Sequence, residues 1–144
     1  RGERLAKAAE LGFETVDYAT TDPVETVQGM TDGVGSDVAL DCAGVPDSYR
    51  WALAMLHKGG RCASVGIPVE DVVLSLQDLV LYEKELVGVR ATAGGMRRAM
   101  PLVADGRIRV NELHTHTFPL EEFRLAIDTF NERRDGALKV ILEP

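Results

Sequence analysis

Two kinds of segment alternate along this chain, and that alternation restricts its fold more than any single motif does. Short apolar or β-branched stretches at 16–18, 37–41, 61–67, 86–89 and 139–142 read as strands. Between them lie helical patterns with recognisable ends. Residues 3–11 are strong helix formers, and Gly12 follows as a stop. Asp22-Pro23-Val24-Glu25 opens a second helix, with Asp22 as cap, Pro23 in the first turn, and Val24, Val27 and Met30 as its apolar stripe.

Pro46 opens a third helix, with Trp51, Leu53, Ala54 and Leu56 toward its buried side and its end at Lys58-Gly59-Gly60. Val72 to Leu76 is extended and apolar, and Ser75 with Asp78 caps a short helix to about Tyr82. A further helix covers 94–105, where Pro101 is expected to kink it or shorten its regular part. Residues 120–132 form an amphipathic helix with Leu120, Phe123, Ile127 and Phe130 on one stripe. Strands alternating with helices imply a parallel, layered α/β sheet, and 144 residues suffice for one domain, or most of one.

Charge and composition remove several functions. A net charge of -7 disfavours a nucleic-acid ligand, whose phosphates need a basic face. No run of about 18 apolar residues is present to span a membrane. Cys42 and Cys62 sit in strand-like runs, which suits reduced, buried thiols in an intracellular, cytoplasmic protein. The first residues carry neither a signal-peptide core nor an initiating Met, so the chain reads as a piece of something longer.

In an open parallel sheet, ligands lie beyond the carboxyl ends of the strands. Asp41-Cys42-Ala43-Gly44 and Ser64-Val65-Gly66-Ile67-Pro68 are two such ends, and Val89-Arg90-Ala91-Thr92 is a third. Small side chains there leave room for a ring or a ribose, and glycine lets backbone come close. Ordinary strand-to-helix turns favour the same residues, and the pattern leaves both readings open.

Other chemistries find less support. Cys42 and Cys62 are twenty residues apart without a Cys-x-x-Cys, His114 and His116 lack a third ligand nearby, and no metal site is expected in this chain. No base accompanies a cysteine nucleophile, so Cys62 reads as a structural thiol and Cys42 as a structural thiol lining a site. The G-x-S-x-G elbow, the P-loop and G-x-G-x-x-G are all missing.

The segments ERLAKAAELGFETVDY, GVGSDVALDCAGVPDSYRWAL, KGGRCASVGIP, LQDLVLYEKELVGVRATAGGMRRAMPLVADGRI, FPLEEFRLAID and GALKVILEP, in that order, resemble the carboxyl-terminal part of zinc-type medium-chain alcohol and polyol dehydrogenases. The resemblance covers essentially the whole chain. It implies a Rossmann-like coenzyme domain, a parallel sheet with helices on both faces, followed by the closing segment of the chain.

It also implies a site for NAD or NADP. Cys42, Ala43 and Gly44 match the family's positions beside the adenosine and ribose. Val65, Gly66 and Ile67 match the backbone that meets the nicotinamide side. Val89, Arg90 and Ala91, with Thr92 one residue on, match the segment that holds the carboxamide. Arg4 matches a basic residue near the adenosine ribose, and Lys139 one near the pyrophosphate.

Against the family pattern, the first two strands, the glycine-rich turn and the ribose-selecting acid do not occur, nor does the domain carrying the zinc ligands. The resemblance therefore implies a parent enzyme that contains zinc and oxidises an alcohol or polyol, of which this chain forms half a coenzyme cleft and is inactive alone. A zinc-free quinone or enone reductase, or a non-catalytic assembly module, are the alternatives. Without the central strands, 16–18 is expected to dock beside 37–41 or to pair with another chain. The resemblance further implies a homo-oligomer joined along the sheet edge near Val72–Leu76.

Overall fold

The computed structural model describes residues 2–90 and 94–144. They form two compact units, one within residues 15–90 and one of residues 2–14 with 94–144.

The first unit holds a three-stranded parallel sheet in the order β1 (Ser36–Asp41), β2 (Leu56–Ser64), β3 (Glu85–Gly88). Ala39 lies opposite Cys62 and Leu40 opposite Ala63, while Cys62 lies opposite Leu86. Helices α2 (Pro23–Met30) and α3 (Pro46–Met55) pack together, and α3 also packs on β1 and β2. Ala52, Leu56 and Cys62 make the core, with Ala39 and Leu53 against it. The short helix α4 (Leu76–Leu81) leads into β3.

The helix starts follow the sequence. Asp22 accepts the amides of Val24 at 2.8 Å and Glu25 at 3.0 Å, satisfying two donors that the first turn leaves open. Ser75 accepts the Asp78 amide at 3.2 Å.

Three boundaries differ from the sequence reading. Helix α3 stops at Met55 rather than at Lys58, because Leu56 already pairs with Ser36. The extra residues bulge between that pair and Val38–Arg61, with Gly59 at φ +81° donating its amide to Tyr82 O at 2.8 Å. Residues 65–67 leave β2 for another partner, described below. Residues 16–18 form no strand: Asp17 starts a turn over 18–20, its carboxylate accepting the Ala19 amide at 3.1 Å and its carbonyl those of Thr20 and Thr21. The Tyr18 ring rests 5.2 Å from that of Trp51 on α3. Among the described residues no strand docks beside β1, which forms an edge of its sheet.

The second unit pairs β4 (His114–Pro119) with β5 (Lys139–Glu143) in parallel, covered by α6 (Phe123–Glu132). It also contains α1 (Gly2–Glu10) and α5 (Gly95–Ala104), the latter continuing through Pro101 to Ala104. The stripe expected to be buried on 120–132 is not. Leu120 and Phe123 are more than half exposed, and Ile127 and Phe130 about two-fifths. The small side chains Ala126 and Thr129 are buried instead, as is Ala137 beyond the helix. Small residues allow close approach to two narrow strands, and a sheet of that width leaves the bulky flanks uncovered.

Candidate functional site

Three parallel strands end side by side in the first unit. The turns after β1 and β2 are built as one piece around Asp41, which is only 3% exposed. Its backbone carbonyl accepts the amides of Val65 and Gly66, both at 2.8 Å. Its carboxylate accepts the Gly44 amide at 3.0 Å and the hydroxyl of Ser48 on the first turn of α3. Behind it, the Tyr49 hydroxyl meets Ser64 Oγ at 2.5 Å and donates to Gly66 O at 2.7 Å.

This packing gives the two glycines their reason. A Cβ on Gly66 would lie 2.3 Å from the Gly44 nitrogen and 2.7 Å from Asp41 Oδ2. One on Gly44, at φ +68°, would lie 2.8 Å from the Ile67 backbone. Both residues are small so that the turns can touch each other, before any ligand is considered.

The side chains around this lock are open. Cys42, Ala43, Val65 and Ile67 are exposed. The exposure of Cys42 corrects the expectation of two buried thiols. Strand alternation points Ala39 and Asp41 inward, and the chain then turns Cys42 to the surface. Cys62 is fully buried, and burial first, then the Asp41 charge, pushes its thiol pKa upward. Val89 extends the ladder by donating to Ser64 O at 2.9 Å, and Arg90 follows it, exposed. Ala91 and Thr92 lie outside the described residues. Cys42 and Ala43 also edge a hollow of about 520 Å³ between β1, α2 and α3, floored by Trp51 and Met55.

The other two expected residues meet in the second unit. Arg4 on α1 and Lys139 at the start of β5 line one hollow of about 440 Å³. Leu11, Phe13, Leu113 and Leu138 give it apolar walls, and Lys7 adds a third cation, held 2.9 Å from Glu10. An apolar surface rimmed by cations suits a flat, anionic ligand.

Among the described residues, no three His, Cys, Asp or Glu side chains come together in a way that could hold a metal ion. The described residues do not fit zinc. From the sequence, Asp41 enters only as the first residue of a strand end, and Ser48 and Tyr49 carry no role. Their available signal was an acid ending a strand, followed within one turn of the next helix start by Ser and Tyr.

The sequence model of the zinc-binding dehydrogenase family matches residues 1–105. The chain belongs to that family. An alcohol dehydrogenase of Cupriavidus necator is 28% identical to this chain over 146 residues, covering 98% of the chain and 40% of the relative. The crystal structure of 2R,3R-butanediol dehydrogenase from Bacillus subtilis superposes with a TM-score of 0.90 at 26% identity, covering all of the chain and 42% of that structure. A zinc-binding dehydrogenase of Sinorhizobium meliloti 1021, solved with NADP, superposes at 0.79 with 28% identity over 90% of the chain and 39% of its own length. The fold is thus the Rossmann-like α/β arrangement of zinc-type alcohol dehydrogenases. The chain spans about two-fifths of the length of the relatives it matches.

Proposed function

We propose that this chain forms part of the coenzyme cleft of an NAD- or NADP-dependent dehydrogenase acting on an alcohol or polyol. The observation that carries this reading is the meeting of Arg4 and Lys139, far apart in sequence, at one apolar hollow. Two cations oppose the phosphates of a dinucleotide, and the apolar walls take its uncharged parts. In the first unit, taken by itself, the strand-end turns Cys42-Ala43-Gly44 and Val65-Gly66-Ile67, tied together by Asp41 and Tyr49, are a separate shelf with room for a ribose or a flat ring. The family resemblance assigns Val89 and Arg90, with Ala91 and Thr92 outside the described residues, to the carboxamide side. When bound, the nicotinamide supplies the hydride acceptor or donor; this chain's residues bind and orient it. The domain reading that accompanies this is a coenzyme domain with the closing segment of the chain.

Two finer assignments belong with this proposal. Val73 is 79% and Leu76 72% exposed, which supports pairing with a second copy along the edge near Val72–Leu76. Free Cys42 and Cys62 support a reducing, cytoplasmic setting.

The test is calorimetric titration of the full-length protein with NADH and with NADPH. Binding of at least one, weakening as salt rises, is the expected result. Absence of heat and of fluorescence change with both coenzymes would sink the proposal.

A further inference from the structure

Lys139 opens β5, and a single side chain on the neighbouring strand holds its backbone. Thr115 sits where the β4–β5 register shifts, between His114 and His116. Its hydroxyl donates to Lys139 O at 3.0 Å and accepts the amides of Leu138 at 3.1 Å and Lys139 at 3.3 Å. A hydroxyl has one proton and two lone pairs, so its whole capacity goes to these two successive residues. Both of them line the hollow that also contains Arg4.

A lysine ammonium rides on a flexible four-carbon stem, so the volume it can search is set by where its backbone is fixed. The register shift leaves Thr115 without a partner in the ladder, while Lys139 pairs with His114. The threonine hydroxyl adds its bonds to that pairing and fixes the start of β5. We propose that Thr115 is a positioning residue for coenzyme binding, acting through Lys139 and touching no coenzyme itself. This rests on the coenzyme reading above. It explains why a polar, β-branched residue occupies the shift: the branch suits the strand and the hydroxyl anchors the neighbouring one.

A double-mutant cycle on the full-length protein tests it, read as the dissociation constant of whichever coenzyme binds more tightly. Lys139→Met is expected to weaken binding about tenfold, the loss of one charge-assisted contact. Thr115→Val, which keeps the shape and removes the hydroxyl, should weaken it by about three- to tenfold. Thr115→Ser should restore affinity to within about twofold, because the hydroxyl returns. In the Lys139→Met background, Thr115→Val should do nothing further.

Equal losses in both backgrounds would overturn the positioning role and leave the coenzyme reading intact. An unchanged affinity in Lys139→Met would also overturn the positioning role, because Lys139 would then make no contact for Thr115 to position. Only a failure of the parent protein to bind either coenzyme would overturn the coenzyme reading, so the two failures are told apart. If the valine variant does not fold, Thr115→Cys carries the same cycle, since a thiol keeps the volume and bonds only weakly.

Discussion

Tyr49 ties α3 to the end of β2 through a contact of 2.5 Å between its hydroxyl and Ser64 Oγ. The same hydroxyl reaches Gly66 O at 2.7 Å, and the ring is 4% exposed, so this polar tip is satisfied inside the fold. Tyr49→Phe keeps the ring and removes both bonds. It should cost about 1–3 kcal/mol, because a part-buried carbonyl is left without its donor. Urea unfolding measures this, and a change below about 0.3 kcal/mol would show that water replaces the hydroxyl.

Gly66 and Gly88 make a controlled pair. A Cβ at Gly66 meets backbone at 2.3 Å, whereas nothing lies within 4 Å of one at Gly88. Gly66→Ala should destabilise by about 2 kcal/mol or more, since backbone must move. Gly88→Ala should fall within about 1 kcal/mol of the parent protein. Equal midpoints in a thermal melt would refute the packing role given to Gly66.

The two cysteines should separate cleanly by reactivity. Cys42 is exposed and Cys62 fully buried with a raised thiol pKa. The thiolate is the reacting form, so Cys62 is protected both sterically and by protonation. A maleimide reagent should label Cys42 in the native protein and Cys62 only under denaturant. Native labelling at Cys62 in a peptide map would contradict the buried core.

Alkaline pH should act on stability with two opposite signs. The Cys62 pKa is raised above the ordinary 9.0, so the unfolded chain loses its proton first and stability falls as pH climbs past that value. Lys84 has its pKa lowered from 10.5, chiefly by burial, with its ammonium donating to Leu53 O at 2.7 Å. The folded state releases that proton first, so this group adds stability as pH rises into the same range. Unfolding free energy measured from pH 8 upward should fall less steeply in Cys62→Ala and more steeply in Lys84→Met. Parallel curves for the parent and both variants would show that neither group is coupled to folding.

Several elements were legible because their determinants are local. Asp22-Pro23 starts a helix wherever it falls before an apolar stripe, since the aspartate and the helix amides are within three residues of each other. The strand at 37–41 and the glycine stop at residue 12 follow from the same short-range rules. The segment order carried the family resemblance, and with it the candidate positions on the strand ends.

Elements that depend on distant partners were misread or missed. Val16–Tyr18 has strand-like side chains, yet an aspartate turn and the Trp51 ring take it out of the sheet. The stripe from Leu120 to Phe130 has helical period, but periodicity does not say how wide a surface is available to cover it. β4 drew notice only as a histidine pair, because its strand identity depends on β5 some twenty residues later.

The sequence by itself determined the alternating α/β order, the helix starts and the small residues at the strand ends, all set by neighbours along the chain. Only the tertiary structure decided that Gly44 and Gly66 are small for each other, and that Arg4 and Lys139 share one hollow. Only it assigned Asp41, Ser48, Tyr49 and Thr115 their bonds. Those are relations between residues the chain must bring together, and packing and hydrogen-bond satisfaction, rather than local propensity, select which ones meet.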